Sequence, residues 1–285
     1  MRLLVFGETG QVARAIKRLA PDAVLLPRAH ADLADPAACA RAIRAVRPEA
    51  VINAAAWTAV DSAEAHEAEA TVINGEAPAA MARQCAGIGI PLVQISSDYV
   101  FDGTGDAPFA PDHPTGPINA YGRSKLAGEQ GVIAAAAPYA ILRTSWVFSA
   151  DGTNFVKTMC RLGAQRPALS VVDDQIGGPT PAEAIAAACL TMAAQLRDDP
   201  SKSGIYHLAG APDASWAEFA RAIMQAAALP CVITGILTRN YPTPAPRPLN
   251  SRLDCDRLRR VFGIPRPDWH SALGPIISQI KETAR

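Results

Sequence analysis

A short apolar strand runs directly into a glycine turn and then a helix, and this limits what the chain can fold into. "RLLVF" (2–6) is followed by "GETGQVA". Glycines in such a turn let the chain reverse tightly and approach a ligand, while the next helix aims its free N-terminal amides at phosphate. Gly7 and Gly10 occupy two glycine positions, and Ala13 stands where a third glycine is common. The spacing alone carries little. Placed between the first strand and first helix of a β-α-β unit, it points to the pyrophosphate of a dinucleotide, with a plain glycine-rich turn as the alternative. The same unit continues through the first half. "AVLL" (23–26), "AVINA" (50–54), "PLVQIS" (91–96) and "YAILRTS" (139–145) read as strands. Their near-continuous apolar character fits a parallel sheet buried on both faces. "DPAACARAIRAV" opens with Asp35 as N-cap and Pro36 at the first helical position. The expected fold class is α/β, a doubly wound parallel (Rossmann) sheet.

After residue 150 the rhythm loosens. Helices are expected at 153–163, 180–196, 215–228 and 254–262, separated by "SVVDDQIGGPTP" and "YPTPAPRPLNSRL". The second connector is proline-rich, yet too dense in directed polar groups for a mere linker. The expected division is a Rossmann domain over 1–150, continued by parts of 165–205, and a smaller C-terminal substrate lobe from 206–285 with 151–164. Hydrophobic residues make up 49% and charged residues 19%, as in ordinary globular chains. Lys+Arg and Asp+Glu are both 27, so no basic excess points to nucleic acid or an anionic membrane. No apolar run is long enough to span a bilayer and the first residues lack a signal peptide's features, so a cytoplasmic protein is expected. The six cysteines are scattered without a C-x-x-C and read as buried reduced thiols.

The second strand's end bears on cofactor choice. An acid there would bind a ribose 2′-hydroxyl, an arginine a 2′-phosphate. Arg28 holds that place and Asp32 follows four later, leaning toward NADPH; the other reading of Arg28 is a solvated loop residue. Ala54, Ala55 and Ala56 follow the third strand, either to admit a ligand close to the backbone or to pack helix on strand. The fourth strand delivers Ser96, Ser97 and Asp98 to the sheet's carboxyl edge. Tyr121 and Lys125 come later, one turn apart on a helix. A free phenol has a pKa near 10. A neighbouring ammonium and an oxidised nicotinamide would lower it, letting Tyr121 hand a proton to a carbonyl oxygen as hydride reaches carbon. Ser97 would hydrogen-bond that oxygen. Each motif alone arises by chance; their joint occurrence, in order on a dinucleotide framework, does not.

That order resembles the extended short-chain dehydrogenase/reductases. More narrowly, "FGETGQVA", "NAAAWTAVDSAE", "SSDYVFDG", "YGRSKLAGE", "RTSWVF", "NFVKTM", "DDQIGGPT", "YHLAG" and "TPAPRPLNSRLD" are similar to the dTDP-4-dehydrorhamnose reductases. The resemblance implies NADPH, with NADH also accepted, and reduction of a dTDP-linked 4-keto sugar, dTDP-4-dehydro-L-rhamnose, to dTDP-L-rhamnose. It places Gly10, Gln11 and Val12 on the cofactor phosphates, Asp32 and Leu33 near the adenosine, and Ala54 to Ala56 along the cofactor. Ser97, Tyr121 and Lys125 become the catalytic triad, with Lys125 also binding the nicotinamide ribose. Asp98 and Trp146 contact the sugar nucleotide; Asn154, Arg247 and Asn250 hold its nucleotide part. Ser97 replaces the family's usual threonine and keeps the hydroxyl. Some relatives use a glutamate early in the first helix for a magnesium-bridged dimer. Arg14 and Ala15 stand there instead, so no metal is expected, and a monomer or weak homodimer is. Two alternatives follow from the same residues: a reductase of another nucleotide-linked 4-keto sugar, and a non-catalytic NADP-binding regulatory subunit. The intact triad argues against the second.

Overall fold

Along the first strand, Leu3 and Val5 face one side and Leu4 and Phe6 the other, as the two-residue period of a strand requires, and all four are buried. Two hydrophobic layers therefore sandwich one sheet in the computed structural model, which describes residues 1–283. The first half runs β1 (Leu3–Phe6), α1 (Gln11–Leu19), β2 (Val24–Leu26), α2 (Pro36–Val46), β3 (Ala50–Asn53), α3 (Val60–Ala63), α4 (Glu67–Thr71), α5 (Ala77–Ile88), β4 (Leu92–Ser97), α6 (Ala120–Ala134) and β5 (Tyr139–Thr144). The second half runs β6 (Val147–Phe148), α7 (Phe155–Gly163), β7 (Ala168–Val172), β8 (Ile176–Gly177), β9 (Thr180–Pro181), α8 (Ala182–Asp198), β10 (Gly204–Leu208), β11 (Ala214–Ser215), α9 (Trp216–Ala227), β12 (Val232–Ile236), β13 (Asn250–Ser251), α10 (Asp256–Phe262) and α11 (Trp269–Thr283). Asp35 caps α2 as expected, its carboxylate accepting from the Ala38 amide at 3.0 Å.

The six-stranded sheet has the order β10-β5-β4-β3-β1-β2, and every pairing in it is parallel. Ile16 of α1 and Ile185 and Met192 of α8 fill one face, Ile43 of α2 and Met81 of α5 the other. The doubly wound expectation holds, and the lobe boundary needs correcting. β10 closes the sheet, so residues 206–208 belong with it. Tyr206 and Leu208 bury against the α8 side, and Leu258 and Phe262 of α10 enter the same cluster. Those residues, expected in the lobe, pack on the sheet because their apolar face meets it.

The lobe is built from the β7–β12 pair, the small sheet β11-β8-β13, and α7, α9 and α11. Phe148, Met159, Phe219, Ile223 and Trp269 form its core. α11 was not expected: Pro275 lies inside it and removes a ladder donor. Trp269, Leu273 and Ile277 bury one face, and that burial overrides the proline. All six cysteines are free thiols, with Cys160 the most accessible. No helix among the described residues is long and apolar enough to cross a membrane.

Candidate active site

The strand order places β1 between β2 and β3. The chain leaving β1 goes to one face of the sheet and the chain leaving β3 to the other, which opens a crevice at the carboxyl ends of these strands. Gly7 sits there at φ +104°, a conformation that favours glycine, and an added Cβ would already touch Ala54 and Ala55 at 3.4 Å. Gly10 is the N-cap of α1, and no side chain caps that helix among the described residues. Its first-turn amides are therefore free for a phosphate. A cavity of about 550 Å³ follows, lined by Gly7, Gly10, Arg28, Asp32, Leu33 and Ala54 to Ala56 among others. Arg28 is ion-paired to Asp32 at 3.0 Å and its side chain is 80% exposed, so it is solvated and also at the cavity rim. The Ala34 amide, helped by Arg28, holds the Asp32 carboxyl below its usual range.

A second cavity, about 660 Å³, shares Gly10 and Ala54 to Ala56 with the first. Gln11, Val12, Ser97, Asp98, Tyr121, Lys125 and Trp146 line it. β4 and β5 run in register with Ser97 beside Thr144, so both present hydroxyls at the carboxyl edge. Asn119 caps α6, accepting from the Gly122 amide at 2.8 Å, and so sets Tyr121 and Lys125 over the same edge. Lys125 Nζ donates to the Ile95 carbonyl at 2.7 Å. Burial pulls its pKa down to about 8, with Glu129 opposing. Burial also pushes Tyr121 up to about 12, with the Ser97 hydroxyl opposing and Asp98 adding to the rise. In the chain alone, desolvation of the phenolate dominates and the ammonium is turned to a backbone carbonyl; the expected lowering is by that ammonium together with an oxidised nicotinamide. The Ser97 hydroxyl donates to Asp98 Oδ1 at 2.9 Å. Burial raises Asp98 to about 6, tempered by the neighbouring Ser251 and Ser97 hydroxyls. Among the described residues Ser96 Oγ, Asp98 Oδ2 and Thr144 Oγ1 are buried without a hydrogen-bond partner, and all three residues line this cavity. Native interiors rarely leave such atoms unpaired, so their gathering here marks a site built for a polar ligand.

A third cavity, about 740 Å³, lies between the sheet and the lobe, and it shares Tyr99 and Trp216 with the second. Arg247 lines it, as do Asp61 and Arg166. Trp146 is held at φ +49° and stacks on Trp216 of the lobe at 3.6 Å between ring centroids. A non-glycine residue in that region costs about 1–2 kcal/mol, and here the turn lays the indole against the cleft. Two expected ligand contacts are not brought to any of these cavities. Asn154 caps α7, and its amide donates to Gln11 Oε1 at 2.9 Å and the Ser149 carbonyl at 2.8 Å. Asn250 is buried, donating to the carbonyls of Ala107 at 2.8 Å and Thr104 at 3.3 Å. Both amides are committed to acceptors within the protein, so they shape the site from behind. Tyr99, Asp61 and Trp216 were not expected. A tyrosine one position beyond Ser97–Asp98 could have been read from the strand end; the other two become visible only in three dimensions. Arg14 pairs with Asp151 at 3.6 Å.

A doubly wound sheet with a dinucleotide crevice, and a strand-end serine facing a Tyr-x-x-x-Lys helix across one cleft, defines an extended short-chain dehydrogenase/reductase. Residues 1–282 match the RmlD substrate binding domain family. The chain is 44% identical over 281 residues to the dTDP-4-dehydrorhamnose reductase of Sinorhizobium fredii, covering 95% of each. The structure of a dTDP-4-dehydrorhamnose reductase from Clostridium acetobutylicum superposes with a TM-score of 0.91 at 34% identity, covering 99% of this chain and 100% of that one. That of the dTDP-4-dehydrorhamnose reductase from Bacillus anthracis, in complex with NADP, gives 0.90 at 33%, covering 98% and 99%. The chain belongs to the dTDP-4-dehydrorhamnose reductase family.

Proposed function

We propose that this chain reduces the 4-keto group of dTDP-4-dehydro-L-rhamnose with NADPH, giving dTDP-L-rhamnose. The observation that carries the reading is the continuity of the three cavities: a dinucleotide crevice, the Ser97–Tyr121–Lys125 edge, and the Arg247 pocket, in that order. The free amides of α1 and the glycine crevice fit a dinucleotide pyrophosphate. Bound NADPH supplies the hydride that attacks sugar C4. Tyr121, pushed up to about 12, is protonated at neutral pH and so is in the donating form. It gives its proton to the C4 oxygen as the alkoxide develops. Ser97 holds that oxygen after turning its own proton away from Asp98. Lys125 spends one N–H on Ile95 and keeps two for the nicotinamide ribose hydroxyls. Trp146 and Asp98 flank the sugar, and Arg247 takes the nucleotide end.

The test is purified protein with NADPH and enzymatically generated dTDP-4-dehydro-L-rhamnose, followed at the nicotinamide absorbance. The expected result is oxidation that requires the sugar nucleotide and stops when it is consumed. UDP- and GDP-linked analogues should turn over with lower kcat/KM, since remote binding energy is realised at the reacting ketone. Faster turnover on another nucleotide sugar would overturn the substrate. Cofactor binding with no turnover on any 4-keto sugar would favour a regulatory subunit.

A further inference from the structure

Asp61 is a carboxylate at the rim of a cavity read as holding an anion, and its placement calls for an explanation. It lies in α3, beyond the loop after β3, and its side chain is 44% exposed. Oδ1 accepts from the Ala245 amide at 3.2 Å and from Arg247 Nη2 at 2.8 Å. The guanidinium is left half used, because Nη1 is buried with no hydrogen-bond partner among the described residues. A bare acid here would repel phosphate; an acid that grips one edge of the arginine does not. We propose that Asp61 is a positioning residue that fixes the plane of Arg247 and reserves Nη1 for an oxygen of the substrate diphosphate. The inference rests on the nucleotide-sugar reading above. An arginine on a proline-rich segment has many side-chain states, and a ligand that must order it binds more weakly than one that finds it ordered. The segment itself has other anchors: the Asn119 side chain, the cap of α6, donates to the Pro246 carbonyl at 2.9 Å, and the Asn250 backbone N–H donates to the Gly103 carbonyl at 3.0 Å. Removing Asp61 therefore loosens the arginine more than the backbone around it.

The experiment measures dTDP affinity by calorimetry and deoxythymidine affinity by ligand-observed NMR, for wild type, Asp61→Ala, Asp61→Asn, Arg247→Ala and the Asp61→Ala/Arg247→Ala double variant. Deoxythymidine has the base and sugar without phosphates. Asp61→Asn retains a carbonyl acceptor and serves if the alanine variant fails to fold. Loss of the ordered charged partner should weaken dTDP by about tenfold in Asp61→Ala, and by less in Asp61→Asn. Deoxythymidine and NADPH affinities should hold, and KM for the nucleotide sugar should rise with kcat retained. In the Arg247→Ala background Asp61→Ala should cost nothing more, because the pair acts as a unit. Equal losses for dTDP and deoxythymidine would reduce Asp61 to a loop anchor and overturn the inference. Unchanged or tighter dTDP binding in both Asp61 variants would also overturn it, making the acid a bystander or a competitor. Wild-type protein that binds neither ligand would overturn the nucleotide-sugar reading itself, and this inference with it.

Discussion

Gly122 follows Tyr121 in the first turn of α6, and replacing it with alanine sets two effects of opposite sign against each other. Alanine in place of a helical glycine gains about 1 kcal/mol of propensity. A Cβ at Gly122, however, would lie 2.1 Å from the Tyr99 carbonyl oxygen and 2.9 Å from Pro117 Cβ. Carbon contacts become comfortable near ~3.5 Å, so the helix start and the Tyr99 backbone must separate by about 1 Å. Tyr99 directly follows Ser97–Asp98, and that movement widens the gap between Ser97 and Tyr121. Overpacking against backbone costs about 1–3 kcal/mol. An overlap at 2.1 Å with backbone lies toward the upper end of that range, so the clash should win, leaving Gly122→Ala destabilised by about 1–2 kcal/mol and its Tm lower by about 2–4 °C. Misplacement by ~1 Å can cost about 10²-fold in rate, and kcat should fall on that order while NADPH affinity changes little. Gly87→Ala in α5 is the comparison, since nothing among the described residues lies within 4 Å of its added Cβ. It should gain up to about 1 kcal/mol with kcat unchanged. Thermal melts and steady-state rates decide the matter: a Gly122→Ala protein as active as wild type and stabilised like Gly87→Ala would refute the close-approach reasoning.

Tyr121→Phe keeps the ring and removes the proton, so kcat should drop by about 10²-fold or more while NADPH binds as before; near-normal turnover would mean another group is the acid. Arg28→Ala should lower kcat/KM for NADPH by about tenfold or more and leave NADH nearly unaffected, and equal effects on the two would confine Arg28 to its ion pair with Asp32. His207 is buried beside the Phe109 carbonyl and Arg143, and burial with that cation pulls its pKa down to about 3. The folded chain thus binds fewer protons than the unfolded chain between pH 6.5 and about 3, so this stabilisation is complete above 6.5 and lost as pH falls. About 2 kcal/mol should go between pH 6.5 and 5 in wild type and not in His207→Gln, measured by urea midpoints; parallel pH slopes in the two proteins would rule this out.

The first half of the fold was legible because its main strands are four to six residues long and mostly apolar, bounded by turns. The lobe was not, because β8, β9, β11 and β13 are two residues long and carry no period. α11 hid behind Pro275. At the site, chemistry-bearing side chains on strand ends and on α6 could be placed from spacing alone, since those elements fix their direction. Asn154 and Asn250 could not be placed from sequence, because an asparagine that caps a helix or bonds a loop carbonyl looks the same as one that faces a cavity; only the partners tell them apart. The Tyr121 pKa depends on how far burial outweighs a nearby charge, and burial is a property of the whole packing. The fully buried Arg143–Glu129 pair, at 2.6 Å, ties β5 to α6 and leaves no sequence signal either, since its two members are ordinary charged residues until the sheet closes over them.

The stacked indoles of Trp146 and Trp216 belong to different parts of the molecule, one to the end of the sheet and one to the first turn of a lobe helix. At their separation the two chromophores share excitation, and the sign and size of the resulting near-ultraviolet circular dichroism depend on the angle and distance between them. Any rotation of the lobe against the sheet changes that signal, and so does a sugar ring that wedges beside the pair. A change in the cleft would thus be read in the spectrum of the unlabelled protein, independently of the nicotinamide absorbance that follows the chemistry.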